Sequence, residues 1–346
     1  MRSLRRLVRI LLDVALLSTA LIQFAFRGTT PRWAVESLVR LFCVSGGRSN
    51  DLLAKMASVL HPPRTLAARA GVLALIGKPG IEKILPVLRD RGYFVYEQRV
   101  PADICDRLVD FALTQPASVR LHDGEIREKI DTVYDPSRPL GIRYDFREKD
   151  LINNPDIQAL MADPAIIEIA QAYLGVQPVA DVVAMWWHTA FSDQPDSEAA
   201  QFYHFDMDRI KWIKFFIYLT DVSPDNGPHY FVAGSHRTGG VPKEILSKGY
   251  VRLSDEEVEA RFPPRDIVEF AAPRGTIIAE DTRGLHKGQH VASGHRLMLQ
   301  IQFSNSLFGP AYPKASFDAL RDSRLAELAA RYPRLYSNYL PEGMQG

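Results

Sequence analysis

The chain has 346 residues, of which 46% are hydrophobic and 24% charged, as expected for a globular protein with one large domain or two smaller ones. Its 42 basic and 41 acidic residues give a net charge of +1, so charge gives no reason to expect a nucleic-acid partner. Two isolated cysteines, Cys43 and Cys105, exclude a disulfide framework and a cysteine zinc site, and the expected compartment is the cytoplasm.

The first 27 residues combine arginines with an uncharged apolar run. That run, residues 14–26, is too short to span a membrane unless the charged first turns are included. Asp13 interrupts a signal-peptide pattern, and no small-residue cleavage site precedes Arg27. We expect a helix packed on the body of the protein. The alternative is peripheral membrane contact through residues 1–27, with the arginines toward anionic headgroups, which would make the protein membrane-associated.

Residues 1–90 are predicted to form a helical extension without a catalytic cluster. Apolar residues recur at helical spacing in 33–43 and in 51–60. Glycine and proline pairs indicate turns between the helices. These turns are predicted at Gly46-Gly47, Pro62-Pro63 and Pro79-Gly80.

Two more helices are predicted before the first long strand. The segment 101–114 opens with a proline, as helix starts often do. In the segment 163–175, Asp163 suits the N-cap, Pro164 the first helical position and Gly175 the stop.

From about residue 180 the sequence changes to short β-branched and aromatic runs. One helix interrupts them at 254–262, where Ser254 and Glu257 have capping-box spacing, and a closing helix is predicted at 316–331. Short strands without alternating helices favour an antiparallel jelly roll over a parallel α/β sheet. The predicted strands are 179–187, 213–222, 266–272, 275–281 and 295–303.

The predicted fold class is therefore mainly β with added helices. Its core is a double-stranded β-helix, or cupin-like jelly roll, preceded by an N-terminal helical region. We divide the chain into the helical extension 1–90, a catalytic domain 91–310 with its β core from about residue 180, and a helical tail 311–346.

A metal-binding pattern lies in residues 201–208, QFYHFDMD. His204 and Asp206 are two residues apart, so on an extended chain both side chains point to the same face. His286, which follows the strand 275–281, is the best candidate for a third ligand. Two histidines and one carboxylate on one face of a metal leave three positions open, which suits Fe(II) that also binds a keto acid and dioxygen.

Arg296 heads the last predicted strand, where polar and apolar residues alternate. A guanidinium fork matches a carboxylate in geometry and charge, so we predict that Arg296 binds the distal carboxylate of 2-oxoglutarate. Each of these residues alone is more often structural or on the surface. Their order within the strand-rich half is what makes the joint pattern informative.

The segment 204–237 (HFDMDRIKWIKFFIYLTDVSPDNGPHYFVAGSHR), followed by DTRGLHKGQ and Arg296, resembles the phytanoyl-CoA dioxygenase family of 2-oxoglutarate oxygenases. The similarity covers about residues 150–310 and leaves the first 90 residues outside. It implies a double-stranded β-helix with iron at its mouth. Some members place a hydroxyl two residues after the distal histidine, where this chain has Gly288. The resemblance implies His204, Asp206 and His286 as metal ligands and Arg296 as the 2-oxoglutarate anchor.

Gln201 and Lys214 are secondary candidates for contact with the co-substrate or substrate. Gln201 precedes His204 by three residues and suits such a contact as well as it suits a backbone hydrogen bond. Lys214 stands in an apolar strand, where it either extends to solvent, which we favour, or pairs with an anion. His229 and His236 are expected to be structural, because this kind of iron site needs only two histidines.

The predicted function is an Fe(II)- and 2-oxoglutarate-dependent dioxygenase that hydroxylates a C–H bond of a small-molecule or lipid-like substrate and releases succinate and CO2. Related halogenating enzymes lack the carboxylate ligand, so an intact Asp206 favours hydroxylation. Desaturation, cyclisation and a carrier-linked substrate stay open. Two alternatives remain: a non-catalytic cupin-like binding protein, and a metal-dependent isomerase on the same fold, which would not need Arg296.

Overall fold

Eleven strands form two antiparallel sheets in the part of the chain that the computed structural model describes, residues 2–66, 70–121 and 131–340. The order in the main sheet is β1-β9-β6-β11-β5-β4-β2-β3, and in the small sheet β10-β7-β8. The strands are β1 Tyr93–Val95, β2 Pro116–Arg120, β3 Asp131–Val133, β4 Arg143–Asp145, β5 Val179–Thr189, β6 Trp212–Tyr218, β7 His229–Val232, β8 Ile267–Phe270, β9 Ile277–Glu280, β10 His286–Gly288 and β11 His295–Ser304.

Helices cover the outer face of the main sheet and precede it in the chain. The fold is thus mainly β with a jelly-roll core and an N-terminal helical region, which confirms the predicted class. The α-helices are α1 Arg2–Arg27, α2 Arg32–Ser45, α3 Arg48–Leu60, α4 Gly77–Arg91, α5 Ala102–Ala112, α6 Glu148–Ile152, α7 Pro155–Met161, α8 Pro164–Leu174, α9 Lys243–Leu246, α10 Asp255–Glu259 and α11 Ser323–Arg331. Short 3-10 helices are found at Pro264–Asp266 and Pro333–Tyr336.

Polar and apolar side chains alternate along the central strand β11, as predicted. It pairs with β5 on one side and β6 on the other. One face of β11 packs in the main hydrophobic core with side chains of α5, α7 and α8, and the other face lines a cavity between the two sheets. The core face consists of Leu297, Leu299, Ile301 and Phe303, and the cavity face of Arg296, Met298, Gln300 and Gln302.

The predicted helix caps are present, but one predicted helix start and one predicted turn differ from the structure. Asp163 caps α8 through the backbone N–H of Ala165, and Ser254 and Glu257 form the predicted capping box. The closing helix is shorter than predicted: it begins at Ser323, because Asp322 is its N-cap. The turn predicted at Pro79-Gly80 is wrong, because both residues lie in the first turn of α4, where the missing proline N–H has no intrahelical acceptor.

The N-terminal helices pack against the back of the segment 203–207. A second hydrophobic cluster contains Leu38 and Phe42 of α2 together with Tyr203, Phe205 and Met207. The ring centroids of Phe42 and Phe205 lie 5.7 Å apart. The predicted metal-binding segment therefore has a wall formed by residues from the first 60 of the chain.

We predict that Phe42→Ala lowers the free energy of unfolding by about 3 kcal/mol, because it leaves a cavity against Phe205 in a closed cluster. Denaturant unfolding followed by circular dichroism measures the change. Val44→Ala is the matched control on the same helix: Val44 is 45% exposed, so its truncation should change stability by no more than about 0.5 kcal/mol. An equal decrease in the free energy of unfolding for the two variants would contradict the packing of Phe42 against Phe205.

Candidate metal centre

Backbone hydrogen bonds bring the two predicted histidine ligands together. His204 and His286 form an isolated antiparallel bridge in which each N–H donates to the other carbonyl, at 3.0 and 2.9 Å. Two residues further on, the N–H of Asp206 donates to the carbonyl of Thr282 at 2.8 Å. The extended segment before β6 is thereby aligned with the chain that enters β10, and its alternate side chains face the cavity.

The three side chains converge on one point. Their candidate ligand atoms all lie within 4.8 Å of one another, with His204 Nε2 at 3.7 Å and His286 Nε2 at 3.5 Å from Asp206 carboxylate oxygens. Each Nδ1 lies 2.9 to 3.0 Å from a backbone carbonyl, of Phe202 and Gly284 respectively. A carbonyl can only accept, so Nδ1 carries a proton and Nε2 is the nitrogen that can bind a metal.

The electrostatics favour a cation between these groups. Burial, and secondly His286, lower the pKa of His204 well below its usual value, so its imidazole is neutral, the form that ligates metals. Burial alone would raise the pKa of Asp206, but Lys214 and the histidines outweigh it and keep that carboxylate ionised. Burial opposes the charged form of His286, yet Asp206 raises its pKa, so a bound cation would replace a proton there.

Lys214 does not extend to solvent, so the interpretation favoured from the sequence is wrong. It is buried, and its Nζ lies 2.6 Å from an oxygen of Asp206 and 3.0 Å from one of Asp208. Burial would lower the pKa of Lys214, but the two carboxylates together raise it above its usual value. Asp208 also accepts a hydrogen bond from Tyr312 at 3.0 Å. Lys214 lines the cavity and fixes the orientation of the Asp206 carboxylate.

Arg296 is buried in the wall of the same cavity, whose volume is about 330 Å³. Only 1% of this residue is exposed. Its Nη2 lies 2.6 Å from Nδ1 of His188, while its Nε and Nη1 have no hydrogen-bond partner among the described residues. Burial lowers the pKa of Arg296 to about 10, so the guanidinium is still charged at neutral pH. A buried guanidinium without a carboxylate partner is costly unless a ligand supplies one.

His188 is a site residue that the sequence analysis missed. It stands directly opposite Arg296 in the pairing of β5 with β11. Because a guanidinium can only donate, Nδ1 of His188 accepts, and burial, followed by the charge of Arg296, keeps the pKa of this histidine low enough for that. The period of two along β5 was the available signal: Val182, Ala184, Trp186 and His188 all line the cavity.

Gly288 leaves room for the arginine. A Cβ at this position would lie 3.2 Å from Nη2 of Arg296 and 3.7 Å from Cε1 of His188. A larger side chain at this position would therefore press on the guanidinium. Gly288 leaves space beside Nη2 of Arg296, and the same Nη2 donates a hydrogen bond to His188.

Gln201 makes a backbone hydrogen bond, one of its two predicted contacts, while its Nε2 is buried without a partner among the described residues. It is buried but does not line the cavity. Its side-chain carbonyl accepts a hydrogen bond from the backbone N–H of Asp196 at 2.7 Å. Gln201 thus holds the loop that precedes the metal-binding segment.

His229 and His236 contact groups outside the triad. His229 lines the cavity, but its Nε2 lies 2.9 Å from Glu280, and its ring centroid is 5.7 Å from that of His286. Burial raises the pKa of Glu280 to about 8 and lowers that of His229, which favours the neutral forms of both. His236 faces the backbone carbonyl of Arg89 at 3.2 Å. Both histidines have the structural contacts that were expected.

This chain is similar to one known protein family and to several solved structures. The sequence model of the phytanoyl-CoA dioxygenase (PhyH) family matches residues 88–296, more than half of the chain. No curated protein sequence matches.

Similar solved structures include EctD from S. alaskensis in its apoform, with 20% sequence identity over 76% of this chain and 90% of that chain and a TM-score of 0.49. AviO1 from Streptomyces viridochromogenes Tue57 has 19% identity, coverages of 68% and 97%, and a TM-score of 0.44. The epimerase SnoN in complex with Fe3+, alpha ketoglutarate and nogalamycin RO has 16% identity, coverages of 71% and 89%, and a TM-score of 0.47.

We predict that the chain binds one divalent cation and that His204→Ala and Asp206→Ala each weaken binding by at least about 100-fold, the upper end of what loss of an outer-shell contact costs. Isothermal titration with Co²⁺ under anaerobic conditions measures the affinity. His290→Ala is the control, because His290 contacts the backbone of Ser192 and is not part of the triad. Unchanged affinity in the two triad variants would remove these residues as ligands.

Proposed function

Because this chain belongs to the phytanoyl-CoA dioxygenase family, we propose that it is an Fe(II)- and 2-oxoglutarate-dependent dioxygenase that hydroxylates a C–H bond of a small organic substrate. His204, Asp206 and His286 would hold the iron, and Arg296 would bind the distal carboxylate of 2-oxoglutarate. This proposal includes the residue roles that were predicted from the sequence.

The observation that carries the proposal is the combination of two features in one cavity. A cluster of two imidazoles and one carboxylate, a donor set that suits Fe(II) with open positions, faces the same space as a buried arginine. Two nitrogens of that arginine have no partner in the part of the chain that the structure describes. A dicarboxylate that chelates a metal at one end needs a cationic fork at the other. A metal-dependent isomerase that does not use 2-oxoglutarate would not need this second group.

When bound, iron, 2-oxoglutarate and dioxygen supply the oxidising chemistry that replaces C–H by C–OH, with release of succinate and CO2. The contribution of this chain is positioning. Lys214 holds Oδ2 of Asp206, the oxygen nearer His286, and so orients Oδ1 toward His204. His188 fixes the guanidinium of Arg296, and the surrounding sheet residues keep water away from it, which strengthens its attraction for a carboxylate.

The rest of the cavity wall supports a substrate with an apolar body and an acidic group. Trp186, Phe216 and Met298 contribute apolar surface. Arg252 lies beside Tyr250 in the wall, and its Nη1 is buried without a partner in the described structure. A second guanidinium with one nitrogen that has no partner among the described residues suits an anionic substituent of the substrate. Amphipathic carboxylic acids are therefore the first compounds to screen.

The direct test is to add 2-oxoglutarate to the anaerobic Fe(II) protein and to record the metal-to-ligand charge-transfer absorption. Its appearance is expected, because the keto acid would chelate the iron through its keto oxygen and one carboxylate. Iron binding without this absorption would refute the co-substrate assignment and leave the isomerase or binding-module alternatives. Failure of the folded protein to bind iron would refute the proposal as a whole.

We predict that Arg296→Ala weakens 2-oxoglutarate binding at least about 30-fold, or ~2 kcal/mol, because the carboxylate loses a buried charged partner. His188→Ala should weaken it less, about 10-fold, since the arginine keeps its charge and loses its orientation. Both variants should bind Co²⁺ like the unaltered protein. Titration of the charge-transfer absorption gives the 2-oxoglutarate affinity.

The exposed residue Arg138 provides the control for loss of an arginine. Arg138→Ala should leave 2-oxoglutarate binding unchanged. If Arg296→Ala binds 2-oxoglutarate as tightly as Arg138→Ala does, Arg296 is not the anchor.

A further inference from the structure

Helix α1 buries one face and exposes the other. Asp13, Leu17 and Ala20 are on the buried face. The exposed face is apolar, and its large side chains are between 47% and 86% exposed. Among them are Leu7, Val8, Leu11, Val14, Ile22 and Phe26. A continuous apolar surface of this kind on a long helix indicates an interaction site.

The charges around this face are positive. Residues 1–27 contain five arginines and one acidic residue, Asp13, a net charge of +4 in a chain whose total is +1. Asp13 points away from the exposed face: it accepts hydrogen bonds from Ser37 and Arg40 of α2, at 3.0 and 2.7 Å. Arg5, Arg6 and Arg27 are exposed. Arg9 lies on the side of Asp13, 3.4 Å from its carboxylate. Helix α1 therefore has exposed cationic groups near both ends, and its exposed apolar face has no described anionic group.

We propose that α1 binds in the plane of an anionic lipid membrane, with its exposed face at the boundary between headgroups and acyl chains. An amphipathic helix with an exposed apolar face and exposed arginines near its ends has the chemistry for this site, since the apolar side chains enter the lipid and the arginines reach phosphate groups. The proposal concerns a surface outside the cavity and does not depend on the proposed reaction.

A membrane-spanning orientation is the first competing explanation. By length and composition Leu4–Arg27 could cross a bilayer, with a mean hydropathy of 1.9. The contacts on the opposite face argue against it. The Asp13–Arg40 pair joins α1 to α2, and Phe24 packs edge-on against Phe308 with ring centroids 5.5 Å apart. A spanning helix would have to break these contacts and place Asp13 in the hydrocarbon core.

A second copy of the chain is the other competing occupant. In a contact between two exposed α1 faces the arginines of both copies would find no opposite charge, because the one acidic residue of α1, Asp13, faces α2. The face offers no carboxylate among its described residues to compensate them. Anionic headgroups supply that compensation along the whole helix, so the charge pattern favours lipid over a second copy.

Flotation of the full chain with lipid vesicles tests the proposal. The probes are vesicles of phosphatidylcholine and phosphatidylglycerol in a three-to-one ratio, and vesicles of phosphatidylcholine alone. Binding is expected to the anionic vesicles, to weaken at high salt, and to be much weaker with phosphatidylcholine alone. The double variant Leu11→Glu/Ile22→Glu should lower the partition coefficient at least tenfold.

The matched control replaces two exposed apolar residues outside α1 with glutamate. Leu140→Glu/Phe191→Glu should bind vesicles like the unaltered chain, since both residues lie outside α1 and are about as exposed as Leu12 or Val14. Arg5→Gln/Arg6→Gln should reduce the preference for anionic vesicles without removing the apolar face. Circular dichroism and Co²⁺ affinity show whether each variant is folded.

Three outcomes would overturn the proposal. The first is absence of vesicle binding, or equal binding by Leu11→Glu/Ile22→Glu and the control. The second is a dimer in light scattering that the same double variant converts to a monomer, which would make a second copy the occupant. The third is resistance of the protein in cell membranes to alkaline carbonate extraction, which would indicate a spanning helix.

Discussion

The strict alternation of residues 203–207 is the constraint on which the site depends. His204 and Asp206 face the cavity, while Tyr203, Phe205 and Met207 face the second hydrophobic cluster. Both faces of this short extended segment are buried, so a shift of one residue would place a carboxylate in the cluster and an aromatic ring in the cavity. The packing of the apolar face therefore fixes the register of the polar face.

The N-terminal helices take part in this arrangement, although they precede the family-matched segment. Asn50 of α3 donates to the carbonyl of Ile210 at 3.0 Å, just after the metal-binding segment. Asp51 of the same helix pairs at 3.1 Å with Arg283, which also binds Asp281 in the loop that leads to His286. One helix thus contacts the chain on both sides of the candidate metal centre. Asn50 and Arg283 are buried, so these polar contacts specify position more than they add stability.

The sequence predicted the parts of the site that rest on local periodicity. The period of two identified His204 with Asp206 and gave Arg296 a cavity-facing position on β11. The role of Lys214 was misjudged because its partners, Asp206 and Asp208, lie on a preceding segment whose turn back toward β6 is not visible in the sequence. His188 was missed because its importance comes from the register of β5 against β11, a long-range pairing that residue types do not specify. The convergence of His204 and His286 likewise depends on a backbone bridge between segments that are far apart in the chain.

The boundaries of the family match differ from the boundaries of the folded unit. A fragment covering residues 88–296 would lack α1 to α3 and would end at the second residue of β11, the strand that joins β5 to β6. Phe205, Trp212 and Phe308 belong to the cluster that α2 closes, so removal of α2 would expose aromatic surface next to the metal-binding segment. For recombinant work, the shortest chain worth expressing keeps α2 and α3 at one end and the tail through residue 340 at the other, because Tyr339 donates a hydrogen bond to Glu148 beside β5. Shorter fragments are candidates for inclusion bodies rather than for crystals.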